Sequence, residues 1–353
     1  MFTKLATHFD FISFWSEKIK PALTIAIIFL FGCFLFFFIN NRDPIILFLQ
    51  MLNGAFGDFY SVSETLVQAA PIIFTAMAVA LPARLGLISV GGEGQMYFGA
   101  IIGTGIVLIG IDLPALLLMP AMLVGGVLGG ALWGAIPALM KVKLGVNETI
   151  STLLLNYIAI LLVSFLVHGP WRNPASLGWP STVNFPSSAL LPTFFDSRIH
   201  LGLIVAVVIA LFLHFIVTRS RWGLELKILR SNQRVGATAG LKYQSHVLLV
   251  MAIAGMLAGI AGIIEVSVIQ GRLQSGIAGT FGLTGFLVAW LAGQNFIRII
   301  PLSVLMGGLL ASADSLQMFA QMPSASAIIL QSTLFIIVLA VTAKNATKHK
   351  SGQ

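Results

Sequence analysis

The sequence predicts an all-α integral membrane protein of about ten transmembrane helices, and composition, run length and charge placement together predict it. Of 353 residues, 58% are hydrophobic and 9% charged, with a mean hydropathy of +0.97. No soluble core hides that much apolar surface, so lipid must be part of the solvent. Apolar runs of roughly 20 residues recur, the length that crosses about 30 Å of hydrocarbon. Backbone in lipid must bond internally, which selects helices. The net charge of +8 comes from Lys and Arg placed singly or in short loops between the runs. It therefore sets topology and does not mark a nucleic-acid-binding domain.

The first run, 21–39, follows Lys18 and Lys20. It is too long for a secretory signal, and Asn40-Asn41-Arg42-Asp43 follows it where a cleavage site would carry small residues, so it is expected to stay as a span. Its Cys33, the single cysteine, has no disulfide or metal partner and reads as packing. Further spans are expected at 63–82, 88–110, 113–140, 148–168, 200–218, 246–268, 280–296, 299–315 and 324–343. Residues 21–343 then form one transmembrane domain between a cytoplasmic segment, 1–20, and a cytoplasmic tail, 344–353. In this arrangement only Arg42, Arg172, Arg198 and Arg272 of the 20 basic residues lie outside. The positive-inside rule accordingly places both termini in the cytoplasm.

Spans three and eight are rich in glycine: Gly86, Gly91, Gly92, Gly94, Gly99 and Gly103 in one, Gly276, Gly279, Gly282 and Gly285 in or before the other. Glycine loosens a helix. Interrupted helices in the two halves of a transporter often mark the solute route, although close helix packing explains glycine equally well. Span four has Gly125-Gly126 and Gly129-Gly130, and span seven has Gly255 and Gly259, so glycines four apart let helices touch. Two longer loops interrupt the pattern. The outer one, 169–199, carries five prolines with Trp171, Trp179, Phe185, Phe194 and Phe195, which suit the bilayer interface or a cap where an external binding protein docks. The inner one, 219–245, has helix formers at 223–230 and a basic, small-residue surface suited to a groove on another protein or to holding orientation.

Glu93 is the acid expected farthest from a span end, and buried charge in a membrane is costly. With Gln95 it can hydrogen-bond a solute or satisfy backbone freed by the break. Thr149, Thr152 and Asn156 share one face of span five, with Asn147 and Glu148 capping its start. Glu265 and Asp314 are expected to reach the interface from outer helix ends. Histidines 8, 168, 200, 214, 246 and 349 lack metal-ligand spacing and are assigned no chemistry. No cofactor or metal is expected. No phosphate-binding Gly-x-x-x-x-Gly-Lys-Ser/Thr loop occurs, so the chain is not expected to be an ATPase itself.

The stretch 225–240, with Asn232 and Gly236-Ala237-Thr238-Ala239-Gly240 at its end, resembles the cytoplasmic coupling loop of sugar and nucleoside permeases of ATP-binding-cassette importers, where an Asn and a terminal Ala-x-x-x-Gly recur. Arg84-Leu85-Gly86-Leu87-Ile88-Ser89-Val90-Gly91-Gly92-Glu93-Gly94-Gln95-Met96 resembles their glycine-rich Glu-Gly-Gln motif. Val146-Asn147-Glu148-Thr149 through Asn156-Tyr157 resembles the stretch opening their fifth span. The order and spacing match the family, and the Glu-Gly-Gln form is closer to its nucleoside branch, as the larger of two paired permeases. Gln233-Arg234-Val235 departs from the acidic or proline-containing stretch common there.

The resemblance implies a type II-like importer permease of the bacterial cytoplasmic membrane that carries nucleosides or related small polar solutes. It also implies an ATP-binding subunit, a second permease in a heterodimer and an extracytoplasmic solute-binding lipoprotein or periplasmic protein as partners, besides membrane lipid and without nucleic acid. Glu93, Gln95, Thr152 and Asn156 are the solute-pathway candidates. Glu225, Arg230, Asn232, Arg234 and Gly240 are the coupling candidates. The alternative is an ion-coupled secondary transporter with Glu93 as carrier. A membrane enzyme lacks a clustered catalytic set, and a scaffold leaves the polar stripe unexplained.

Overall fold

The computed structural model describes residues 20–351 except 177, 195, 196 and 324, and leaves undescribed the side chains of 20–22, 314, 319, 320 and 342–351. The 1–20 segment apart from the backbone of Lys20, the Phe195 ring and the Asp314 carboxylate lie outside what is described. Among the described residues the structure is helical, with isolated bridges and no strand of a sheet.

The chain order is α1 Lys20–Ile39, α2 Pro44–Phe56, α3 Phe59–Arg84, α4 Gly92–Ile109, α5 Ala115–Leu144, α6 Glu148–His168, α7 Leu201–Arg219, α8 Arg221–Ser231, α9 Gln233–Thr238, α10 Tyr243–Ile264, α11 Phe281–Leu291, α12 Phe296–Ala320 and α13 Ala325–Ser351. A short 3₁₀ turn, Ser187–Ala189, precedes α7, and α10 continues into a π-helical turn, Glu265–Ile269. Six segments among the described residues are long and apolar enough to cross a membrane: α3, α5, α6, α7, α10 with its π turn, and most of α12.

The chain divides into two compact units, one up to Ser61 and from Leu309 onward, the other Val62–Gly308. In the terminal unit α1 and α2 together are long and apolar enough to cross a membrane, and they are bent by 117°. The bend follows from Asp43-Pro44: the Asp43 carboxylate accepts the Ile45 amide at 2.9 Å, and Pro44 opens the new helix at the position where no amide hydrogen bond is lost. Cys33 is buried against Phe37, Leu47, Met51, Leu316, Met322 and Leu330, a packing role.

In the Val62–Gly308 unit, α3 is buried at every residue from 69 to 83, as expected of a helix walled by protein. By contrast α7 exposes Val208, Leu211, Phe212 and Phe215, an apolar face suited to lipid. The paired glycines seat α5 against α10. A Cβ on Gly134 would lie 2.5 Å from the Met251 carbonyl oxygen, and those on Gly130 and Gly255 would strike each other's helix backbone. This is the close approach that small residues permit.

The structure departs from the expected spans at both glycine-rich segments. The helix expected at 88–110 begins only at Gly92, because 85–91 is extended or turning backbone with Gly86 at φ +85°. That at 280–296 is the 11-residue α11, about 16 Å long, roughly half the hydrocarbon thickness.

Candidate functional site

The break before α4 is held by the polar stripe of α6. The Asn156 side chain accepts the Gly94 amide at 2.8 Å and donates to the Val90 carbonyl at 2.8 Å. Thr152 Oγ1 accepts the Val90 amide at 3.2 Å while donating to the Glu148 carbonyl at 2.7 Å. Thr149 donates to the Ile88 carbonyl at 3.0 Å, and Glu148 accepts the Ile88 amide at 3.3 Å. Glu148 is itself paired with Lys141 at 2.6 Å, and Asn147 caps the helix by accepting the Thr149 amide at 2.8 Å. Buried backbone groups outside a helix need partners, and α6 supplies them here.

Glu93 and Gln95 are therefore spared that duty. Glu93, expected inside a span at 88–110 and away from its end, lies in the first turn of α4, because the helix starts late. It is half-buried, and its carboxylate makes no hydrogen bond among the described residues. Gln95 is buried, and neither of its amide atoms has a hydrogen-bond partner among the described residues; the same holds for the nearby indole nitrogen of Trp133. A Cβ on Gly94 would lie 3.0 Å from that nitrogen, and one on Gly134 would lie 3.3 Å from Gln95 Nε2. Unpaired buried polar groups are costly, so these two side chains leave hydrogen-bonding capacity for something else.

The second break meets the first. A Cβ on Gly282 would lie 2.5 Å from the Cβ of Glu93 and 2.8 Å from its amide nitrogen. Thr75 of α3 donates to the Phe281 carbonyl at 3.0 Å. The buried Tyr97, one turn after Glu93, reaches the Ala278 backbone and is near enough to both Glu93 and Glu265 to feel their charges. Glu93, Tyr97 and Glu265 thus belong to one polar region between α4, α10 and the start of α11.

Glu265 corrects an expectation. It is 2% exposed, so it does not reach the interface. The π turn carries it inward, where it accepts from Gln270 Nε2 at 3.0 Å and, among the described residues, keeps one carboxylate oxygen unpaired. Gln274 donates to Gln270 at 2.6 Å, and Arg272 to Gln274 at 3.2 Å. The outer loop straps this segment. Thr182 and Phe185 donate backbone hydrogen bonds to Leu273 and Gly271 at 2.9 and 2.8 Å, and Ser267 donates to the Ala189 carbonyl at 2.7 Å. No spacing rule announces a π turn, so these residues carried no sequence signal.

The inner loop folds as the helix pair α8–α9. Gly223 permits α8 to fold back on the end of α7, since a Cβ there would overlap the Val217 backbone. Asn232 caps α9, accepting the Arg234 and Val235 amides at 2.9 and 3.3 Å, and Gly240 ends the pair at φ +78°. Glu225 is tied to His246 of α10 at 3.0 Å, a contact that metal-ligand spacing among the histidines does not reveal. Arg230 points to the Gln294 side chain at 3.4 Å, whose backbone carbonyl also accepts from Arg84. Arg234 is exposed.

The family model described as "Branched-chain amino acid transport system / permease component" matches residues 61–339. The chain belongs to this family. It is a multi-pass membrane protein and a permease component of an ATP-binding-cassette transport system, not an enzyme. Among curated relatives, the guanosine ABC transporter permease protein NupP of Bacillus subtilis is 32% identical, with 85% of this chain and 86% of that protein covered. The nucleoside ABC transporter permease protein NupB of Lactococcus lactis is 26% identical over 95% of this chain and 97% of its own. The glucose ABC transporter permease protein TsgB13 of Haloferax volcanii is 29% identical over 88% and 84%. The matched span takes in both breaks, the α6 stripe and the α8–α9 pair.

Proposed function

We propose that this chain forms the translocation pathway of an ATP-binding-cassette importer for nucleosides or related small polar solutes, with ATP hydrolysed on a separate subunit. The observation that carries the reading is the meeting of two helix breaks at Glu93 and Gly282, beside a Gln95 amide without a partner. Discontinuous helices at a transporter's centre offer polar groups to solute where lipid does not reach. Glu93 and Gln95 face the solute, accepting from and donating to its hydroxyl and base groups. Thr152 and Asn156 frame the break that presents them. Nucleosides lead because two relatives of high coverage bear guanosine and nucleoside in their names, and a glucose relative keeps sugars within the same polar class.

The ATP-binding subunit docks on α8–α9, where Arg230, Arg234 and the surface shaped by Glu225, Asn232 and Gly240 face outward. A second permease completes a heterodimer, and an extracytoplasmic solute-binding lipoprotein docks near the outer loop 169–199. Both termini lie in the cytoplasm, with about ten membrane-crossing or re-entrant segments in a single permease domain from 21 to 343.

The test is radiolabelled nucleoside uptake into proteoliposomes holding both permeases, ATPase and receptor, with Glu93→Gln and Gln95→Ala in parallel. ATP-dependent uptake that falls at least about tenfold in both variants, in folded protein, supports the reading. Uptake that follows a proton or sodium gradient without ATPase favours the ion-coupled alternative and sinks this one.

A further inference from the structure

Three cations converge where α3, α7 and α8 end or begin. Arg84 closes α3, while Lys227 and Arg230 project from successive turns of α8. Together with Val217, Gly223 and Ser231 they line a cavity of roughly 470 Å³. No carboxylate lines it, and none of the described ion pairs involves these three residues. Glu225, the acid of α8, is taken by His246. Arg84 and Arg230 are close enough to repel each other.

The Arg84 guanidinium is fixed all the same, lying 5.7 Å over the Phe296 ring, donating to the Gln294 carbonyl, and leaving its buried Nε without a partner. Lys227 and Arg230 are exposed and Arg84 is half-buried, so water screens part of their repulsion and an anion in the cavity offsets the rest. Phosphate is the anion that guanidinium forks fit best.

A second feature selects the source of that phosphate. A smaller cleft of roughly 170 Å³ shares Arg230 and runs along Val79, Ala83, Leu87, Ile88 and Trp290, apolar walls interrupted by Gln294. A free phosphate has no use for such walls, whereas the glycerol and first acyl carbons of a phospholipid do. The depth also fits a lipid, because Arg84 and Val217 lie in the last turns of helices long and apolar enough to cross a membrane. Basic pockets at such helix ends hold anionic headgroups.

We propose that Arg84, Lys227 and Arg230 form a binding site for the phosphate of an anionic phospholipid, whose glycerol end lies in the adjoining cleft. The site needs only that the chain sits in a membrane and does not depend on the transported solute. It places a lipid headgroup against the base of α8, the helix on which the ATPase is proposed to dock.

The test is native mass spectrometry of the purified full chain in detergent, titrated with phosphatidylglycerol or phosphatidylcholine. The expected result is retention of one phosphatidylglycerol, with no matching retention of phosphatidylcholine. Lys227→Gln/Arg230→Gln should lower that retention by about thirtyfold, as two cations near a headgroup imply, and the charge-keeping Lys227→Arg/Arg230→Lys should hold it within about threefold. Unchanged phosphatidylglycerol retention in the glutamine pair would falsify the site. Equal retention of the two lipids overturns it, as does loss of lipid in the charge-keeping pair, which would make the effect one of packing. Inorganic phosphate that binds alone and displaces the lipid assigns the cavity to a free anion and overturns the lipid site. Stoichiometric displacement of the lipid by added ATPase overturns it too, by assigning the cavity to the protein partner.

Discussion

The two helix breaks that meet at Glu93 are held in opposite ways. Before α4, side chains do the holding: Asn156, Thr152, Thr149 and Glu148, all on α6, bond the backbone at Ile88, Val90 and Gly94. Before α11, backbone pairs and turns do most of it, with Thr75, Thr182 and Ser267 adding side-chain bonds to Phe281, Leu273 and Ala189. The outer loop pairs with Gly271 and Leu273, and the Gly279 amide turns back to the Gly276 carbonyl at 3.0 Å. Gly271, Gly276 and Gly279 take positive φ, and a Cβ on any of them would meet nothing within 4 Å. The first break is thus tied to one neighbouring helix by side-chain bonds, the Gly94 one buried, and the second is set mainly by local conformation. Changes of equal size should cost more at the first.

The largest effect is expected at Asn156. Asn156→Leu leaves the buried Gly94 amide without a partner, at about 1–3 kcal/mol, and the half-buried Val90 carbonyl without its bond, at about 0.5–1.5 kcal/mol, so a loss of about 2–4 kcal/mol is expected in denaturant unfolding of the purified protein. Thr152→Val keeps the shape and removes one acceptor, for about 1–3 kcal/mol, with Thr152→Ser close to wild type. If Asn156→Leu unfolds like wild type but loses uptake, Asn156 serves the solute and not the frame, and the contrast between the breaks fails.

That contrast also explains what the sequence revealed. The stripe Thr149, Thr152, Asn156 was legible because helical spacing puts polar groups on one face, and the glycine clusters marked where helices could either break or pack closely. Which polar groups would answer the freed backbone was not legible, since the partners lie about 60 residues apart and depend on where α4 starts. Glu93 and Gln95 looked equivalent to Asn156 in the sequence and differ only once the pairing is known. The burial of Glu265 was hidden because a π turn rotates every following side chain without any marker residue. In the terminal unit the Asp43-Pro44 start signal for α2 is present in the sequence, but the long apolar run before it dominates the hydropathy pattern.

A middle-sized effect is expected where the breaks touch. Gly282→Ala places a methyl 2.5 Å from the Glu93 Cβ, a distance real contacts do not tolerate, with backbone behind it. Overpacking of this kind costs about 1–3 kcal/mol. Because the strain falls on Glu93, the uptake assay should register it more strongly than unfolding does: at least about tenfold loss of uptake in protein that still melts cooperatively. Equal proportional losses in both measurements would mean that Gly282 only packs.

The smallest effect is expected at Gly276. Its φ of +80° costs an alanine about 1–2 kcal/mol of backbone strain, but nothing within 4 Å opposes the added methyl. Gly276→Asn should recover part of that loss, because asparagine tolerates the left-handed region better than alanine. The ratio between the two variants separates conformation from packing: recovery by asparagine means that the second break is set by its turn angles. Equal destabilisation by alanine and asparagine would mean instead that an unseen neighbour crowds Gly276, and the second break would then be held by contacts just as the first is.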